Sequence, residues 1–88
     1  MSVPISKQSL RSILETIATG NLKDGTSVEW MSLWDVRINS GYSQEYTRTA
    51  IRSLYWNHQA LNRMQKGPAF YYRVSAKGED LLQQWRKK

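Results

Sequence analysis

The chain is 88 residues long, 40% hydrophobic, free of cysteine, and carries a net charge of +6. A chain this short builds one core rather than two, and the lack of cysteine excludes a disulfide framework and a thiolate zinc site. The N-terminal MSVPISKQSL has neither the basic start nor the apolar run of a signal peptide, and no apolar stretch approaches a membrane span, so the expectation is one soluble, cytoplasmic domain over residues 1–88.

The first element is a helix. Ser6 is placed as its N-cap, Leu10, Ile13, Leu14 and Ile17 recur at helical spacing, and Gly20-Asn21 stops the run. A polar connector, NLKDGTS, turns at Asp24-Gly25, and Val28-Glu29-Trp30 alternates as a short strand would. Ser32 and Asp35 have the spacing of a helix-capping pair. They predict a short second helix through Val36, Arg37 and Ile38, closed by Ser40-Gly41, with Leu33, Trp34 and Ile38 buried.

Ser43 caps a third helix of about four turns. Tyr46, Ala50, Leu54 and either Asn57 or His58 form its inward stripe, widened by Ile51; Gln44, Glu45, Arg48, Arg52 and Tyr55 stand opposite. Two strands follow, Leu61–Gln65 and Ala69–Val74, around Lys66-Gly67-Pro68. In the second strand Phe70, Tyr72 and Val74 share one face, and Tyr71 and Arg73 the other. A last helix starts at Ser75 or Ala76, buries Leu81, Leu82 and Trp85, and ends in Arg86-Lys87-Lys88.

Charge is unevenly placed. Residues 1–40 balance four bases with four acids, whereas residues 41–88 set nine bases against Glu45, Glu79 and Asp80. All of the excess therefore falls in the half that holds the third helix and the hairpin, as a surface facing a polyanion requires. The basic C-terminal tripeptide also suits a helix end, so charge alone leaves the bland reading open.

Three stretches carry a family resemblance. Gly41-Tyr42-Ser43 with Thr47-Arg48-Thr49-Ala50-Ile51-Arg52-Ser53-Leu54 resembles the turn and recognition helix of a winged helix-turn-helix domain. Leu61-Asn62-Arg63 resembles the first strand of its wing, and Tyr72-Arg73-Val74-Ser75-Ala76-Lys77-Gly78-Glu79-Asp80-Leu81-Leu82 its junction between wing and final helix. The resemblance implies an α+β fold, with a three-helix core, a β-hairpin wing and a short C-terminal helix. One departure stands out: the family usually has a glycine between recognition helix and wing, where this chain has Asn57-His58-Gln59-Ala60.

The function that the resemblance implies is sequence-specific binding of double-stranded DNA by a small transcriptional regulator. Its recognition helix, about residues 43–58, enters the major groove, and the 61–74 hairpin serves as wing. Gln44 and Arg48 are the candidates for base edges, because glutamine pairs with adenine and arginine with guanine. Ser43, Thr47 and Thr49 are placed to donate to phosphate, Arg52 to reach the backbone, and Arg63, Lys66 and Arg73 to bring the wing to the flanking duplex. A homodimer is a further expectation, from chain length and from the habit of the superfamily. The first and last helices are the natural surfaces for it.

Two other functions compete. The aromatic load of four Trp, five Tyr and one Phe suits a protein–protein adaptor. A phage- or plasmid-type DNA-binding protein without a transcriptional role would share the same charge pattern. An enzyme is not expected: His58 is the sole histidine, no ligand-spaced cluster accompanies it, and no nucleophile–base set or phosphate loop is present. Metal and cofactor are accordingly expected to be none, and a small-molecule effector is neither required nor excluded.

Overall fold

The computed structural model describes residues 5–87. In chain order they form α1 (Lys7–Thr19), β1 (Met31–Ser32), α2 (Leu33–Ser40) and α3 (Gln44–Arg52), the last continuing into a π-helical turn (Ser53–Asn57). β2 (Leu61–Lys66), β3 (Ala69–Val74) and α4 (Ala76–Arg86) complete the fold. The three strands make one antiparallel sheet in the order β1-β3-β2, and the architecture is α+β.

All four α-helices begin at a serine. The side chains of Ser6, Ser32, Ser43 and Ser75 accept hydrogen bonds from the amides of Ser9, Asp35, Tyr46 and Gly78 respectively. Each bond satisfies a first-turn N–H that the helix cannot pair for itself. Such caps matter here because α2 and α3 are only 8 and 9 residues long, too short to be stable from propensity alone. Packing supplies the rest. Leu10, Ile13, Leu14 and Ile17 of α1 join Val36 of α2, Ala50, Ile51 and Leu54 along α3, Leu61 and Tyr72 of the hairpin, and Leu82 and Trp85 of α4 in one core.

Three expectations about this scaffold need correction. The short strand lies at Met31–Ser32 rather than at Val28–Trp30, pairing Met31 with Tyr72 and Ser32 with Tyr71. Met31 is the side chain this strand buries, at 1% exposure. In α2 the fully buried residue is Val36, while Trp34 is 60% exposed. Eight residues present one narrow stripe to α1, and Val36 occupies it, which turns Trp34 outward. In α3 the inward stripe is Thr47, Ala50, Ile51 and Leu54, and Asn57 and His58 are exposed. Tyr46 is half-buried, its hydroxyl donating to Ser9 Oγ of α1 at 2.8 Å.

The hairpin closes through a two-residue turn, Gly67-Pro68, between the paired Lys66 and Ala69. Gly67 has φ +62°, and the proline ring holds the next residue at negative φ, which is the sign pattern of a type II′ turn. Across the ladder Leu61 faces Val74, Arg63 faces Tyr72 and Gln65 faces Phe70, so these six share one side of the sheet.

The helix-to-hairpin passage, Asn57-His58-Gln59-Ala60, turns without a glycine. His58 N–H reaches back to Ser53 O at 3.1 Å, closing the π turn, and Gln59 takes the left-handed conformation at φ +53°. Ala60, fully buried, then donates to Leu54 O at 2.8 Å and accepts from Ser75 N–H at 2.9 Å. Ser75 Oγ donates to Gln59 O at 2.8 Å, and Lys77 Nζ to Gln59 Oε1 at 2.7 Å. Gly78 sits inside the first turn of α4 rather than in a bend of its own. A Cβ there would overlap the Ala60 carbonyl oxygen and stand 2.7 Å from Val74 Cγ1.

Two substitutions test this passage in opposite senses. Gly78→Ala adds helix propensity, worth about 1 kcal/mol, but meets backbone. Overpacking of about 1–3 kcal/mol or more should outweigh it, lowering the unfolding free energy by up to about 2 kcal/mol net, read as a fall in the urea midpoint. A variant as stable as the wild type would show that α4 and Ala60 are not in contact. Gln59→Gly removes a side chain from a left-handed position and should stabilise by up to about 1 kcal/mol. A loss of stability there would mean that the Lys77–Gln59 contact outweighs the backbone term.

Candidate nucleic-acid interface

The outward face of α3 and the adjoining side of the hairpin form one surface. Gln44, Glu45, Arg48, Thr49 and Arg52 project from α3 into solvent. Lys66 stands exposed at the hairpin tip, and Arg63 lies on the same side of the ladder as Tyr72 and Phe70. Between helix and hairpin runs a cleft of about 220 Å³, walled by Arg48, Arg52 and Arg63 together with Tyr55, Trp56 and Phe70.

Arg63 is held in place by aromatic faces. Its guanidinium carbon lies 4.6 Å from the centroid of Tyr55 and 4.7 Å from that of Phe70. Cation–π attraction orders the guanidinium without consuming its in-plane N–H donors. Burial pushes the Tyr72 hydroxyl above its ordinary pKa and the neighbouring Arg63 charge opposes the shift, so Tyr72 stays neutral at physiological pH. Among the described residues the ion pairs are Arg73–Glu29 and Arg86–Glu15. Arg48, Arg52, Arg63 and Lys66 therefore keep their charge uncompensated, with Glu45 the acid on that face of α3.

Arg73 does not belong to this surface. It follows Tyr72 in β3 and so points to the opposite side of the sheet. There it forms an ion pair with Glu29 and packs 5.0 Å from the Trp30 ring centroid. That side carries a larger hollow, about 650 Å³, in which Arg73 and Arg86 meet Glu29 and Glu79. Mixed charge of this kind gives no net attraction for a polyanion.

Two hydroxyls change their assignment as well. Thr47 is fully buried and its Oγ1 has no hydrogen-bond partner among the described residues, so no phosphate can reach it. Alternation of Thr47 with Ala50, Ile51 and Leu54 at i, i+3, i+4 and i+7 was the signal for this; a hydroxyl on a core stripe hides it. Thr49 Oγ1 donates to Glu45 O at 3.0 Å, which leaves only acceptor lone pairs for solvent. Ser43 Oγ accepts from Tyr46 N–H at 3.2 Å and keeps its proton free to donate outward.

The sequence reading missed the residues that flank α3. Phe70 is 37% exposed, since it lies toward the hairpin tip beyond the core's reach. Trp56 is 63% exposed, edge-on to Tyr55 with centroids 5.0 Å apart. On α2 the Arg37 guanidinium lies 4.3 Å from the Trp34 ring centroid, and both line a shallow hollow with Gln44. Basic and aromatic character thus extends past the start of α3. No group of three or more His, Cys, Asp or Glu that could hold a metal occurs among the described residues, and none of their helices is long and apolar enough to cross a membrane.

Thr47→Val keeps the shape of the side chain and removes the orphaned hydroxyl. The variant should gain about 1 kcal/mol of unfolding free energy, because an unpaired buried hydroxyl costs about 1–3 kcal/mol. A destabilised variant would reveal a partner for that hydroxyl. Comparison with family models, with curated proteins and with solved structures gives no match.

Proposed function

We propose that the protein is a winged helix-turn-helix domain that binds double-stranded DNA sequence-specifically, as a small transcriptional regulator acting as a dimer. In this reading α3 enters the major groove and the β2–β3 hairpin is the wing. The observation that carries it is a cluster of cations. Arg48, Arg52, Arg63 and Lys66 stand outside any ion pair on the one surface that α3 and the hairpin share, whereas Arg73, on the other side of the sheet, is paired with Glu29. Element order and the hairpin between third and last helix agree with the fold.

Roles follow from position. Gln44 and Arg48, one turn apart at the exposed start of α3, are the base readers. The Ser43 hydroxyl and the first amides of α3 hold a phosphate, and Arg52, Arg63 and Lys66 hold others along the strand. Glu45 repels phosphate and accepts from a cytosine amino group in the groove. A second reading, a protein–protein adaptor, draws on the exposure of Trp34 and Trp56, at 60% and 63%. A DNA-binding role outside transcription stays within the same chemistry.

The test is a fluorescence-anisotropy titration against a random duplex pool at several salt concentrations, with sequencing of the retained fraction. With three or four phosphates neutralised per protomer, log affinity should fall against log salt with a slope of roughly −3 to −4 per protomer bound, and about twice that for a dimer on both half-sites. A two-fold symmetric motif in the retained pool supports a dimeric regulator, and salt-sensitive binding without a motif supports the non-transcriptional role. Absence of binding at low salt sinks the DNA reading in favour of the adaptor.

Single substitutions then separate the two faces of the hairpin. Arg48→Ala should cost about 1–3 kcal/mol on the preferred sequence and relax the preference. Arg63→Ala and Lys66→Ala should weaken binding on every sequence and each reduce the salt slope by about one. Arg73→Ala should leave affinity unchanged. An equal loss for Arg73→Ala and Arg63→Ala would mean that DNA does not lie on the α3 side of the hairpin.

A further inference from the structure

The cleft between α3 and the hairpin contains more than a duplex backbone asks for. A phosphodiester needs cations and N–H donors, and three arginines supply them. It has no use for Tyr55, Trp56 and Phe70 in the same cleft. Paired bases do not explain the rings either, because a duplex offers base edges in its grooves and keeps the flat faces stacked inside. An anion that also presents a free aromatic face is what this combination of side chains fits.

We infer, building on the DNA-binding reading above, that the cleft takes one unpaired nucleotide of the bound DNA. The base stacks on Trp56, with Phe70 as the apolar wall behind Arg63, and its phosphates lie on Arg52 and Arg63. Four observations support this occupant. The lining contains three arginines and no carboxylate, so the charge complement is an anion. The large rings of Trp56 and Phe70 line the same cleft and remain 63% and 37% exposed. Each ring already has a neighbour within the cleft, Trp56 its edge-on contact with Tyr55 and Phe70 the Arg63 guanidinium 4.7 Å from its centroid. Finally, about 220 Å³ is smaller than the roughly 300–1,000 Å³ of a cleft that encloses a whole small-molecule ligand, and suits a single base.

The geometry gives the nucleotide a place in the complex. Arg48 and Arg52 are on the same face of α3 one turn apart, so a strand that crosses this helix passes the cleft mouth directly. A base that is bulged or at a single-strand junction enters without the cost of breaking its pair, and a paired base must first unstack. The protein should therefore prefer DNA with a local defect over a perfect duplex of the same sequence.

The test uses the full chain and three fluorescently labelled probes of one sequence: a perfect duplex, the duplex with one bulged thymine at its centre, and the single strand. The bulged duplex should bind about tenfold or more tighter than the perfect one, in line with the strength of base–aromatic stacking, and should quench tryptophan fluorescence. Trp56→Ala should remove that preference, and Trp56→Phe, which keeps a stacking face, should restore most of it. Equal affinity for bulged and perfect duplex, or a preference that survives Trp56→Ala, overturns the assignment and leaves the DNA-binding reading intact. Failure to bind any of the three probes overturns both.

Discussion

The contact on which the arrangement depends is the approach of Gly78 to the Ala60 carbonyl. Ala60 links the end of the π turn to the first residue of β2, and Gly78 belongs to the first turn of the last helix. Only a residue without a side chain lets these backbones meet, and the Ser75 amide then closes on the same carbonyl at 2.9 Å. The start of β2 and the end of β3 are thereby tied to one point beneath α3. Without this tie the hairpin would be held by Leu61, Tyr72 and Val74 and by the two-residue pairing with β1, and its angle to α3 would be less firmly fixed. The width of the cleft depends on that angle, so a close approach in the core determines what the surface can hold.

Much of this was legible from the chain because local chemistry and tertiary structure agree. The serine caps, the helical stripe of α1, the glycine after α2 and the two strands about Gly67-Pro68 all follow from short-range rules that packing did not override. Harder to read was which side of a short helix faces inward. α3 has apolar residues enough for two neighbouring stripes, and the choice between Tyr46 and Thr47 depends on where α1 lies. Trp34 was misplaced for the same reason: hydrophobicity argued for burial, while the eight-residue α2 had room in the core only for Val36.

Long-range pairing was out of reach altogether. Alternation placed Arg73 opposite Tyr72 and Val74, and that proved correct. It gave no sign that Glu29, forty-four residues earlier, would cover the face in question. Two arginines of one hairpin, Arg63 and Arg73, thus have contrary fates. One is ordered by aromatic rings with its charge unspent, and the other is neutralised by a carboxylate. An exposed ion pair of that kind contributes no more than about 1 kcal/mol of stability, so its larger effect is on the electrostatic field of the surface.

The sheet has a property apart from any ligand. An open three-stranded sheet has two edges, and each unpaired edge is a template on which another chain can add a strand. Here one edge is β1, two residues long, and the other is β2, which carries Arg63 and Lys66. The first is too short to template anything, and like charges on the second repel the same strand of a neighbouring molecule. The fold can thus leave its sheet open beside a large aromatic surface and still resist growth into fibrils.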